Sequence, residues 1–172
     1  MKGLSLIMTN IRHTLLIGAP CENIYRALTT ADGLSAWWSP NTQATPEEGT
    51  VASFPFENGY VKKMEVAELR PGEFVKWICI QGDQEWIGTT ITFSLLQREM
   101  PVLLTGHPEI SGQADQNPVD VKTLLMFEHN DWADYSPSFA ECSYTWAQFL
   151  RSLKLLCETG TGRPWPNQHA IG

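Results

Sequence analysis

The sequence predicts an α+β fold in two layers, one antiparallel sheet set against a long C-terminal helix, with two short helices after the first strand. Three observations carry this. Between Thr50 and Gln97, four short segments rich in β-branched and aromatic residues are separated by turn residues, as in an antiparallel meander. Near the end of the chain, Phe139, Cys142, Trp146, Phe149, Leu150, Leu153 and Leu156 recur at helical spacing. A helix of about twenty residues spans roughly 30 Å, enough to cross a whole sheet. With 172 residues, 42% of them hydrophobic and 18% charged, the chain reads as one domain over residues 1–172 with a real core.

Residues 1–9 are expected to be flexible, and Asn10–Gly18 reads as the first strand. Pro20 opens a helix running to about Thr30, with Ile24, Ala27 and Leu28 on its apolar face. Asp32 is the expected cap of a second short helix carrying Leu34, Trp37 and Trp38, which Ser39-Pro40 ends. Adjacent helical residues point apart, so one of these two tryptophans should reach the surface or a cavity mouth. The strands Thr50–Phe56, Tyr60–Leu69, Phe74–Gln81 and Thr89–Gln97 follow, with short connectors at Glu57-Asn58-Gly59 and Arg70-Pro71-Gly72-Glu73. Alternation turns Met64 and Val66, then Val75, Trp77 and Cys79, then Ile91, Phe93 and Leu95 toward the core, opposite Lys63, Glu65, Lys76, Thr90 and Thr92. Residues 98–121 show no period and read as an inserted loop with an edge strand at Val102–Thr105. In the last strand, Lys122–Asn130, the polar ends turn Leu125, Phe127 and His129 inward, although Leu124 and Met126 are apolar too. Ser138-x-x-Glu141 fits a capping box for the final helix, and Gly160 its stop.

Twelve lysines and arginines stand against 19 aspartates and glutamates, a net charge of −7 without a basic run. Nucleic acid and anionic membrane surfaces are disfavoured as partners. No window approaches the roughly 18 apolar residues of a membrane span, and the opening apolar stretch is short for an export signal; a cytoplasmic location is expected. Cys21, Cys79, Cys142 and Cys157 lack redox or zinc spacing and read as reduced thiols. His13, His107 and His169 lie in distant segments, no serine or cysteine sits in a nucleophile elbow, and Gly160-Thr161-Gly162 follows a helix instead of opening one. No metal or cofactor is therefore expected.

Read in order, APCENIYRALTTADGLSAWW, GEFVKWICI with EWIGTTITFSL, TLLMFEHNDW, and YTWAQFLRSLKLLCETGTGRPWP resemble the START-like, or helix-grip, superfamily. More narrowly they are similar to the branch named after the activator of the heat-shock-protein-ninety ATPase. The resemblance implies a curved sheet gripping the final helix around an apolar cavity. It implies no catalytic triad or metal motif that transfers residue by residue. Residues 100–121 depart from the family, whose members have a short hairpin there; a lid, an oligomer contact and surface decoration are the open readings.

A hollow between sheet and final helix would be lined by Trp37, Val66, Trp77, Ile91, Phe93, Phe127, His129, Trp146, Phe149, Leu150 and Leu153. Buried indoles need partners for their N–H groups, so several such tips around one hollow can orient a small apolar or amphipathic ligand without catalytic machinery. The competing reading makes these rings plain core. A second hypothesis is an enzyme of cyclase or hydrolase type, with His129 as general base beside Glu68 or Asp131; against it, His129 would simply be bonded where its strand leaves the sheet. A third, from the family name, is a partner of a chaperone ATPase, and a homodimer is a further option. Trp165, between two prolines, is expected to pin the tail to the body.

Overall fold

The computed structural model describes residues 9–114 and 121–170, so the expectation for residues 1–8 lies outside the described residues, while Thr9 already stands in a strand. Six strands run β1 (Thr9–Ile17), β2 (Val51–Pro55), β3 (Val61–Arg70), β4 (Phe74–Gln81), β5 (Thr90–Gln97) and β6 (Thr123–Trp132). They form one antiparallel sheet in the order β1-β6-β5-β4-β3-β2. Two short helices, α1 (Cys21–Thr29) and α2 (Ala31–Trp37), follow β1, and the long α5 (Pro137–Thr159) closes the concave side. This is the helix-grip fold.

The alternation rule holds where one face is polar. Met64, Val66, Val75, Trp77, Cys79, Ile91, Phe93, Leu125, Phe127 and His129 are all buried, and cross-strand pairs such as Val66 with Trp77 and Phe93 with Phe127 stack them into one inner face. Gly160 ends α5 in the left-handed conformation (φ 84°), its N–H donating to the Leu156 carbonyl. Two residues on, a Cβ at Gly162 would run into the Ala36 carbonyl, so the tail lies tight against α2.

Four expectations are corrected. The second helix is capped by Thr30, whose hydroxyl accepts from the Gly33 N–H, and not by Asp32, which lies inside its first turn. The long helix is capped by Ser136, which accepts from the Phe139 N–H; with Pro137 at the first helical position, Ser138 lies inside the helix and no Ser138–Glu141 box forms. Trp37 and Trp38 both face inward, against expectation, and neither reaches the surface, although Trp38 does border a cavity. The helix ends at Trp37 and Trp38 takes the capping position, so the two rings enter the interior together, stacked at 5.9 Å.

The fourth correction concerns residues 98–121. Val102–Thr105 is helical and not an edge strand: Met100–Gly106 forms α3, Pro108–Ile110 a 3-10 turn and Ser111–Ala114 a short α4; residues 115–120 lie outside the described residues. Leu103 and Ile110 pack with Leu16 and Leu124 in a separate small core, joined by Met126. A cover over the outer face of β1 and β6 explains why both faces of β6 are apolar, the feature that blurred its period.

Candidate functional site

The gripped interior is largely filled by rings. Trp38 is their hub: it lies 4.3 Å from Phe54, 5.1 Å from Trp146 and, in parallel, 5.8 Å from Trp77. Trp146 in turn meets Phe127 at 4.7 Å and stacks on Trp86 at 5.9 Å. Offset and edge-to-face contacts of this kind add to burial and leave no continuous hollow along the sheet.

A cavity of about 390 Å³ remains at one end, beside the N-terminal half of α5. Its aromatic wall is Trp38, Phe56, Tyr60, Trp86, Trp146, Phe149 and Trp165; its polar groups are Glu57, Lys62, Asp83, Glu141, Thr145 and Gln168, with Cys142 between them. The 3-10 turn Glu57–Gly59 and the 83–88 turn supply one side, α5 the other, and the tail after Gly160 the third. Glu57, Asp83 and Glu141 are exposed and mark the mouth. Wider surface depressions near Gln97–Val102 and Arg70–Phe74 have only Phe74 as an aromatic wall.

Of the eleven residues expected to line a hollow, Trp146 and Phe149 do so. Trp37, Ile91, Phe93, Phe127, Leu150 and Leu153 are packed in the core, and Val66 and Trp77 border only a void of about 10 Å³, room for a single water-sized sphere. The hollow therefore lies at the end of the grip and not beneath its centre. The loop-borne walls, Glu57, Asp83, Trp165 and Gln168, carry no periodic signal. Lys62 did carry one: it has the same parity as Met64 and Val66 and so belongs to the inward set.

His129 stands behind this wall. Trp146 Nε1–H donates to His129 Nδ1 (3.1 Å), which fixes the neutral Nε2–H tautomer; Nε2–H then donates to Thr89 Oγ1 (2.8 Å), whose hydroxyl donates to the Trp86 carbonyl. Burial, and secondarily the Lys62 charge, hold the His129 pKa down to about 3. Neither proposed carboxylate joins it: Glu68 pairs with Arg70 at the surface and Asp131 is exposed, accepting from Thr90. His129 is thus an internal hydrogen-bond junction, and the histidine–carboxylate pair of the enzyme hypothesis is not assembled.

Lys62 is the cation of the cavity. Its side chain is 12% exposed, and Nζ lies 3.2 Å from the centre of the Trp86 ring, with Phe56 and Tyr60 at 5.8 and 5.9 Å. Asp83 Oδ2 is 3.7 Å away, longer than a hydrogen bond, on a carboxylate that is 59% exposed. Burial lowers the Lys62 pKa against the opposing pull of Asp83. Burial, with Asp83 adding, raises that of Tyr60, so its phenol stays protonated. Three buried side-chain polar atoms among the described residues lack a hydrogen-bond partner, and two of them, Tyr60 Oη and Gln168 Oε1, belong to cavity-lining residues. Trp165 does pin the tail, its N–H donating to the Trp38 carbonyl, and its ring also walls the cavity against Phe56. All four cysteines are free, and among the described residues no three His, Cys, Asp or Glu side chains converge to hold a metal.

A curved sheet gripping a terminal helix, with an aromatic cavity at one end, defines a START-like domain. Within that class, the family model described as Activator of Hsp90 ATPase homolog 1-like protein matches residues 18–158, and the chain belongs to that family. It is 32% identical to the Aha1 protein of Colwellia psychrerythraea, whose solution structure is described as a dimer; the match covers 90% of this chain and 99% of that one, with a TM-score of 0.70. MLL2253 of Mesorhizobium loti is similar at 19% identity and TM-score 0.61, covering 86% and 96%. CalU16 of Micromonospora echinospora is similar at 15% and 0.58, covering 88% and 77%; these two likenesses concern the fold. No curated protein matches the chain.

Proposed function

We propose that this START-like domain binds a small amphipathic molecule with a flat apolar body in the cavity at the N-terminal half of α5. The observation that carries the reading is an aromatic cavity of about 390 Å³, within the size range of small-molecule sites, with a few polar groups on its wall. The free cysteines suit a reducing compartment, in keeping with a cytoplasmic location. No helix of the described residues is long and apolar enough to cross a membrane.

The test is a melting-temperature screen of fatty acids, fused-ring aromatics and polyketides, run on the unmodified chain and on Thr145→Phe, which places a ring in the cavity. A ligand at about 100 times its Kd stabilises by about 2.7 kcal/mol, several degrees for a chain of this size. Upward shifts that Thr145→Phe abolishes, with the circular dichroism spectrum retained, support the reading. Silence across the panel, or equal shifts in both proteins, counts against it.

The dimer named for the Colwellia protein favours a second expectation, self-association, which light scattering across a concentration series decides. The family description brings a third, stimulation of a chaperone ATPase, read directly in an ATPase assay.

A further inference from the structure

The cavity is not electrically neutral inside and out. Its carboxylates, Glu57, Asp83 and Glu141, are exposed to water at the mouth, where solvent screens them. Its one lysine is within. A buried ammonium has three N–H donors and loses its hydration; the ring faces around Lys62 compensate only in part, and the single ion pair exceeds hydrogen-bond length. Beside it, the Tyr60 hydroxyl is closed off from the cavity and faces the Asp83 side, so Lys62 alone presents a donor inward. The two residues converge on Gly82: a Cβ there would stand 3.4 Å from Tyr60 Oη and 3.5 Å from Lys62 Cγ.

From these groups we infer that the cavity selects a planar aromatic acid, with Lys62 holding its carboxylate and the tryptophan faces its ring body. This rests on the ligand-binding reading above and deepens it. A carboxylate answers the buried ammonium with an opposite charge and turns a partly compensated donor into a charge-assisted hydrogen bond. A neutral amide offers the ammonium an acceptor but no opposite charge, a weaker bond. A cationic ligand meets an aromatic site whose best cation position, over Trp86, Lys62 already fills.

Three probes with one ring body separate the cases: 2-naphthoate, 2-naphthamide and 2-naphthylmethylammonium, titrated calorimetrically into the full chain at pH 7. The expected result is binding of the naphthoate about tenfold or more tighter than the amide, the scale of one hydrogen bond to a charged group, with the ammonium weakest. Lys62→Met brings the naphthoate to the affinity of the amide measured in the same variant, with a retained circular dichroism spectrum showing that the variant is folded. Amide binding equal to naphthoate, tightest binding by the ammonium, or a preference that survives Lys62→Met overturns the inference and leaves the cavity reading standing. Binding of none of the three, together with a silent melting screen, removes both. The naphthoate–amide comparison on the unmodified chain decides the matter by itself if Lys62→Met does not fold.

Discussion

His129 shows how a residue that looks catalytic can be structural. Both its ring nitrogens are engaged, by Trp146 and by Thr89, and its neutral form is the one that the fold holds. The consequence is a pH dependence with a definite sign. Folded His129 stays neutral down to about pH 3, whereas the unfolded chain takes up its proton near 6.5, so the unfolded state binds more protons in between. The stability from this group is complete above pH 6.5 and is lost as pH falls toward 3. His129→Gln should be less stable at pH 7, through the broken network, yet show a shallower decline. Urea midpoints around pH 5 should differ in slope by up to about 1.4 kcal/mol per pH unit, the limit for one proton. Parallel pH curves would refute the assignment. Trp146→Phe keeps most of the ring packing but leaves His129 Nδ1 unsatisfied, and should cost about 1–3 kcal/mol in the same assay.

At the scale of elements, the two serines at the start of α5 give a local test. Ser136→Ala removes the acceptor for the Phe139 N–H and should cost about 1 kcal/mol, whereas Ser138→Ala, inside the helix, should cost a few tenths. A reversed order in denaturant unfolding would restore the Ser138 box. The inserted segment makes a sharper prediction. Leu103 is 1% exposed against Leu16 and Leu124, so Leu103→Ala should cost about 2–5 kcal/mol; a surface decoration would cost almost nothing. These elements also mark what the sequence shows and hides. Lys76 and the threonines of β5 made the sheet faces readable because one side of each strand meets water. Residues 98–121 hid their helices because Pro101 and Pro108 read as breakers, although each opens a helical turn, where the missing N–H costs nothing. The cavity hid for another reason: its rim comes from turns and the tail, and only the sheet and α5 have a period to read.

At the scale of the whole molecule, the grip is completed by a segment that belongs to neither layer. After Gly160 the chain doubles back over α2 and the end of the sheet, held by the Arg163 N–H donating to Ser152 Oγ (2.6 Å) and the Trp165 N–H donating to the Trp38 carbonyl (2.8 Å). These bonds anchor the tail through its backbone, so the Trp165 side chain is available to act as a wall. A pin and a wall respond differently to substitution. Ser152→Ala leaves the Arg163 N–H without its acceptor and should lower stability by about 1–3 kcal/mol, with the aromatic wall intact. Trp165→Ala keeps both backbone bonds but removes the ring that closes the cavity against Phe56. If that ring covers about 50 Å² of a bound ligand, its loss at roughly 25 cal/mol per Å² weakens binding by about 1.3 kcal/mol, close to tenfold. Calorimetric titration of 2-naphthamide, which carries no charge to pair with Lys62, should therefore show Trp165→Ala weakened about tenfold and Ser152→Ala nearly unchanged, although both substitutions lower the urea midpoint. Equal loss of binding in both would mean that the tail acts on the cavity only by being in place.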